Sequence, residues 1–129
     1  MREITKQWLE FAKADIKSCK NNISDSFLTN IVAFHAQQAV EKCFKAIIED
    51  NNMKVERTHS LFKLASYIKK IIDFNIDIET IELLDKIYTS SRYPGEIGLF
   101  PNGKPSVEES KQLYNFAVEI YNNTNKMLS

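Results

Sequence analysis

All three glycines and all three prolines of this chain fall between Pro94 and Pro105, so the rest of the sequence lacks the residues that most strongly interrupt regular structure. Before and after that stretch, apolar residues recur at helical spacing, not in strict alternation. An all-β sandwich or barrel, which needs frequent turns, is thereby excluded. The 129 residues, 43% of them apolar, suit one domain spanning residues 1–129 whose core needs no disulfide or metal staple.

The spacing predicts five helices. In the first, about residues 3–20, Ile4, Trp8, Ala12 and Ile16 recur every fourth position, and Cys19 and Ile23 continue the row. Ser24, Asp25 and Ser26 offer cap oxygens to a second helix, about 27–51, whose apolar residues cover most of its circumference and place it in the middle of a bundle. Thr58 can cap a third helix, about 59–72, on Leu61, Leu64, Ala65, Ile68 and Ile71 or Ile72. Asp77 can cap a fourth, about 78–91, with Ile78, Ile81, Leu84, Ile87 and Tyr88 facing inward, and Pro94 and Gly95 stop it. Ser106 and Glu109 have capping-box spacing and open the last helix, whose stripe includes Leu113, Ile120 and Tyr121. Short connections favour antiparallel neighbours, so the expected fold is all-α: an up-and-down four-helix bundle with an additional fifth helix.

Charge narrows the function. The 17 Lys and Arg balance the 17 Asp and Glu, so no global field draws the chain onto a polyanion or an acidic membrane, and any phosphate contact must be local. Fourteen of the cations are Lys. Of Arg2, Arg57 and Arg92, the last stands out because it closes the fourth helix. The two cysteines, Cys19 and Cys43, lie in apolar helical contexts, as expected for reduced thiols in a cytoplasmic protein. The start, MREITKQW, lacks the apolar run of a signal peptide, and the charge-free run 26–40 is shorter than a membrane span.

Three places violate the core pattern. The first is the row His35, Gln38, Lys42 and Lys45 on the second helix, with Glu41 beside it; it is either a solvated strip or the wall of a ligand groove. The second is Thr58-His59 at the mouth of the third helix, where His59 either helps hold an anion or serves as a capping-region histidine. The third is Ser90–Pro94, where Arg92 either answers the helix dipole or faces a phosphate, with Tyr88 and Tyr93 offering ring faces. No nucleophile elbow, P-loop or zinc-protease helix is present, and Cys19, Cys43, His35 and His59 lack the short spacings of a zinc site. No cofactor is expected.

Four segments together resemble the HEPN (higher eukaryotes and prokaryotes nucleotide-binding) domain family. They are Trp8 with Ala12–Asp15, the run FHAQQAVEKCFKA from Phe34 to Ala46, THSL from Thr58 to Leu61, and SRYP from Ser91 to Pro94. The resemblance implies a bundle of about five helices that commonly dimerises, often encoded beside a minimal nucleotidyltransferase as a toxin-antitoxin pair. Many HEPN proteins are metal-independent endoribonucleases in which an Arg is followed four to six residues later by a His. There the His would handle proton transfer at the ribose hydroxyl and the Arg would stabilise the charged phosphorus centre. In this chain YPGEIGLF follows Arg92, no histidine comes after it, and Arg57 is too close to His59 to match.

The leading expectation is therefore a non-catalytic homodimer that binds a nucleotide or RNA phosphate through His35, Gln38, Lys42, Lys45, His59, Arg92 and Tyr93. A second is an interaction module for a nucleotidyltransferase, anchored by Ile97, Leu99 and Phe100. A third is an atypical ribonuclease with His35 or His59 as base and Arg92 or a lysine as its electrostatic partner.

Overall fold

A computed structural model describes residues 1–90 and 103–129. Their order is α1 (Glu3–Asn22), α2 (Thr29–Asp50), α3 (Leu61–Ile68), α4 (Ile78–Ser90) and α5 (Val107–Leu128), and among the described residues there is no strand. The all-helical, five-helix expectation holds. None of these helices is long and apolar enough to cross a membrane.

α2 touches all four other helices, as its near-complete apolar circumference requires. It pairs with α1 in an antiparallel hairpin. Arg2 at the start of α1 donates to the Glu49 carbonyl at 2.6 Å and to Asn52 Oδ1 at 2.7 Å, both at the far end of α2. α5 also packs on α2, more extensively than α3 or α4 does, and Lys104 ties its approach to the 23–28 connection by donating to the Ser26 carbonyl at 2.9 Å. One core runs through Ala36, Val40, Phe44 and Ile47 of α2, with Leu61, Leu64, Ile81, Leu84, Ala117 and Ile120 closing on it.

Helix ends follow local chemistry. Ser106 and Glu109 form the expected capping box, each side chain accepting from the other's backbone amide at 3.0 and 2.9 Å. Asp77 accepts from the Glu79 amide and the Thr80 hydroxyl, as its cap role required. α3, however, begins later and ends earlier than expected. Thr58 Oγ1 accepts from the Ser60 amide in a local turn, and it is Ser60 that caps the helix by accepting from Lys63 N at 3.2 Å. Asp25 likewise accepts from the Phe27 amide, and α2 starts after Leu28 with no side-chain cap.

Two expected apolar stripes are corrected. α1 buries Thr5, Leu9, Ala12, Asp15 and Cys19, whereas Ile4 is 45% exposed. A strict four-residue step advances about 40° per repeat beyond a full turn, so the row from Ile4 to Ile16 drifts by about 120° and cannot stay on one face. The same geometry puts Ile78 outside: three-residue steps fall about 60° short of a turn each, and Ile78 is exposed while Ile81, Leu84 and Ile87 are buried.

Both cysteines are buried free thiols. Cys19 donates to the Val32 carbonyl at 3.3 Å, and burial pushes its thiol up to about 12. Burial also raises Cys43. Their native state favours the protonated thiol, so that contribution to stability is complete below the ordinary thiol range, about 8.5, and is lost as pH rises toward about 12. Urea midpoints measured at pH 7.5 and pH 10 will therefore fall with pH, less steeply in a Cys19→Ala/Cys43→Ala variant. A thiol reagent at pH 8 will label neither cysteine until the chain is unfolded.

Candidate functional site

The polar row of α2 does not face water as a strip. It lies against α1 on one side and against the 51–60 connection on the other, and it resolves into two clusters, each built around a carboxylate that folding removes from solvent. In the first, Asp15 of α1 accepts from His35 Nδ1 at 2.8 Å through Oδ1 and from Lys42 Nζ at 2.6 Å through Oδ2. In the second, Glu41 accepts from His59 Nδ1 at 3.0 Å through Oε1 and from Lys45 Nζ at 3.0 Å through Oε2. The Glu41 and Lys45 side chains are only 5% and 7% exposed.

A buried carboxylate survives only if its oxygens are matched, and Glu41 meets that condition fully. Gln37, fully buried one turn before it, donates to Glu41 Oε1 at 3.3 Å and to the His59 carbonyl at 3.1 Å. Gln38 in turn donates to Gln37 Oε1 at 2.7 Å. The Lys45 ammonium also lies 5.7 Å from the ring centre of Trp8, so a cation–π contact adds to its ion pair. Gln37, Glu41 and Lys45 therefore form an internal polar column at i, i+4, i+8 along the central helix.

The column's outlet is His59. Its side chain is 52% exposed, its Nδ1 points inward to Glu41, and its ring stacks on Tyr88 of α4 at 4.6 Å. Tyr88 in turn stacks on Phe34 at 6.0 Å, and Phe34 meets the His35 ring edge-on at 5.6 Å. A carboxylate can only accept, so Nδ1 carries the proton and the opposite ring nitrogen, Nε2, is directed away from Glu41. His35, about one-third exposed, is held through Nδ1 in the same manner by Asp15.

The structure thus gathers His35 and Lys42 around Asp15, and Gln38, Lys45 and His59 around Glu41 and Gln37, with the Phe34 and Tyr88 rings between the two histidines, but it alters what they offer. Lys42 and Lys45 each already neutralise a carboxylate. The amides at the mouth of α3, which suit an anion, are also taken: Asp85 of α4 accepts from Leu61 N at 2.6 Å and from Phe62 N at 3.0 Å. Arg92 and Tyr93 lie outside the described residues, as do Ile97, Leu99 and Phe100. Among the described residues no three His, Cys, Asp or Glu side chains converge as metal ligands.

Asp15, Gln37 and Asp85 are the partners that sequence reasoning missed. The signal for Asp15 was present, since it interrupts the inner face of α1 two turns after Trp8.

An α-helical domain with this internal polar column and histidine outlet matches the HEPN domain family model over residues 5–127, and the chain belongs to that family. TT1696 from Thermus thermophilus has a similar crystal structure: TM-score 0.84, 22% identity, covering 98% of this chain and 99% of the other. ST0689, described as an archaeal HEPN homologue, is similar over 100% of both chains, with TM-score 0.71 and 22% identity. At that identity the likenesses establish the fold. Among curated proteins none matches the chain significantly.

The network makes a direct energetic prediction. Glu41→Ala leaves Lys45 charged and unmatched inside the protein and lowers unfolding stability by about 3–5 kcal/mol in urea titrations. Pairing Glu41→Leu with Lys45→Met removes both charges and recovers much of that loss, so the two changes will be strongly non-additive.

Proposed function

We propose that this HEPN-domain protein binds a nucleotide or an RNA phosphate at the corner where His59 meets Tyr88, without catalysing a reaction, and works as a cytoplasmic single-domain homodimer. The observation that carries this reading is the half-exposed His59 imidazole, fixed by Glu41 and stacked on a tyrosine. A base can stack against that aromatic corner, while Nε2 of His59 and a cation meet the phosphate. Because Lys42 and Lys45 are matched by carboxylates, their role is to hold Asp15 and Glu41, and through them the two histidines, in place. Arg92, which follows the last turn of α4, is the proposed phosphate cation, with Tyr93 beside it. Membership of the HEPN family supports the ligand class.

The same geometry favours a second reading. A histidine whose Nδ1 is held by a carboxylate is the usual arrangement of a general base, so in this reading His59 is the base of an atypical metal-independent ribonuclease, and Arg92, outside the described residues, is its proposed electrostatic partner. The toxin-antitoxin reading, with Ile97, Leu99 and Phe100 gripping a nucleotidyltransferase, rests on the family resemblance.

Titration of ATP, GTP and a short RNA against wild type, Arg92→Ala and His59→Ala separates these. Binding in wild type that drops at least about tenfold in both variants, with the RNA left intact, supports the binding reading. Equal or absent binding in all three removes it. RNA cut by wild type but not by His59→Ala, with chelator present, replaces it with the second.

A further inference from the structure

The lysines of α2 contribute no net positive charge to the site, so a phosphate must find its cations elsewhere. One concave place among the described residues gathers three cations around a single carboxylate. It is a hollow of about 500 Å³ just before His59, lined by Lys54, Val55, Glu56, Arg57, Thr58 and Lys63. Three cations face a single carboxylate there. That carboxylate is committed: Glu56 accepts from Lys63 Nζ at 3.0 Å and from the Tyr67 hydroxyl at 2.9 Å. The Lys63 hydrogen bond, followed by that of Tyr67, holds the Glu56 carboxyl below its usual range. Lys54 adds to that lowering electrostatically, so three cations share one carboxylate and the hollow keeps an excess of positive charge.

We infer that this hollow is a phosphate-binding site, with Arg57 and Lys54 as the cations that contact the ligand and Lys63 fixed on the wall by Glu56 and Tyr67. The Arg57 guanidinium presents paired N–H donors that match two phosphate oxygens, while Lys54 adds a mobile point charge. A concave surface bearing net positive charge also concentrates anions more than the same charges on a flat face. Arg57 and His59 are two residues apart, so their Cα atoms are separated by no more than about 7 Å. A ligand whose base rests at the His59–Tyr88 corner can therefore place a phosphate in the hollow. The identification of the ligand as a nucleotide rests on the reading given under the proposed function; the hollow itself stands on its shape and charge. The phosphate can come from a mononucleotide or from the backbone of a single-stranded RNA.

Fluorescence anisotropy with a labelled single-stranded RNA, and calorimetry with ATP, test this on the full chain with Lys54→Gln/Arg57→Gln and, separately, His59→Ala. Both changed cations are exposed, so the double variant will retain the native circular dichroism spectrum. The expected result is at least about a tenfold loss of RNA affinity and a plot of log affinity against log salt that is shallower by about 1.4, roughly 0.7 for each cation removed from a single-strand contact. A parallel loss of ATP affinity assigns the hollow to a nucleotide's own phosphates; loss confined to RNA assigns it to a backbone diester. If His59→Ala weakens binding while Lys54→Gln/Arg57→Gln leaves affinity and salt slope unchanged, the hollow is not a phosphate site and the nucleotide reading stands. If wild type binds neither ligand at low salt, both fail.

Discussion

Taking Asp15 and Glu41 out of water is the costly step in building this protein, and most of the distinctive local structure follows from how the cost is offset. A carboxylate in a helical core must have each oxygen matched by donors, and the nearest helix supplies cations one turn away. Lys42 and Lys45 are thereby drawn in over apolar neighbours, Trp8 among them, and His35 and His59 are turned so that Nδ1 faces inward. Gln37 supports Glu41 from below and ties the 51–60 connection to α2 through the His59 carbonyl. The bundle holds its polar column as part of the core.

This arrangement decides where ligand chemistry can occur. Charges committed to internal pairs are closed to a solute, and the amides that begin α3 are taken by Asp85. What reaches solvent from the two clusters is a pair of oriented imidazoles beside the Phe34–Tyr88 rings. Positive charge is displaced to the segment that leads into His59, where Lys54, Arg57 and Lys63 gather around the single carboxylate of Glu56. A formally neutral chain can in this way keep a local surface suited to phosphate without the global field of a nucleic-acid-binding protein.

Much of this was legible in the sequence, and the misses at the site share one physical cause. Helix number and type were readable because glycine and proline are confined to 94–105 and the α2 residues repeat at helical spacing; the capping box at Ser106 and the cap at Asp77 were readable because both act through sequence-local bonds. What could not be read were interactions between residues far apart in the chain. Asp15 with His35 and Lys42, and Asp85 with the start of α3, depend on which faces meet, and a polar residue on a mostly apolar helix looks the same whether it meets water or a partner. The apparent row through Ile4 failed for a simpler reason, since strict fourth-residue spacing spirals off the buried face. Three of the four segments that resemble HEPN domains supply residues of the two clusters, Asp15 from the first, Gln37, Glu41 and Lys45 from the second and His59 from the third; the fourth, Ser91–Pro94, lies outside the described residues.

The inward-facing imidazole is the feature on which the rest turns, and nitrogen-15 NMR that correlates each ring nitrogen with its carbon-bound protons reads it directly. If Glu41 and Asp15 orient His59 and His35 as described, Nδ1 of both rings is protonated in the native protein, and Glu41→Gln releases that constraint at His59 alone. A neutral His59 ring carrying its proton on Nε2, with Nδ1 bare, would contradict the account.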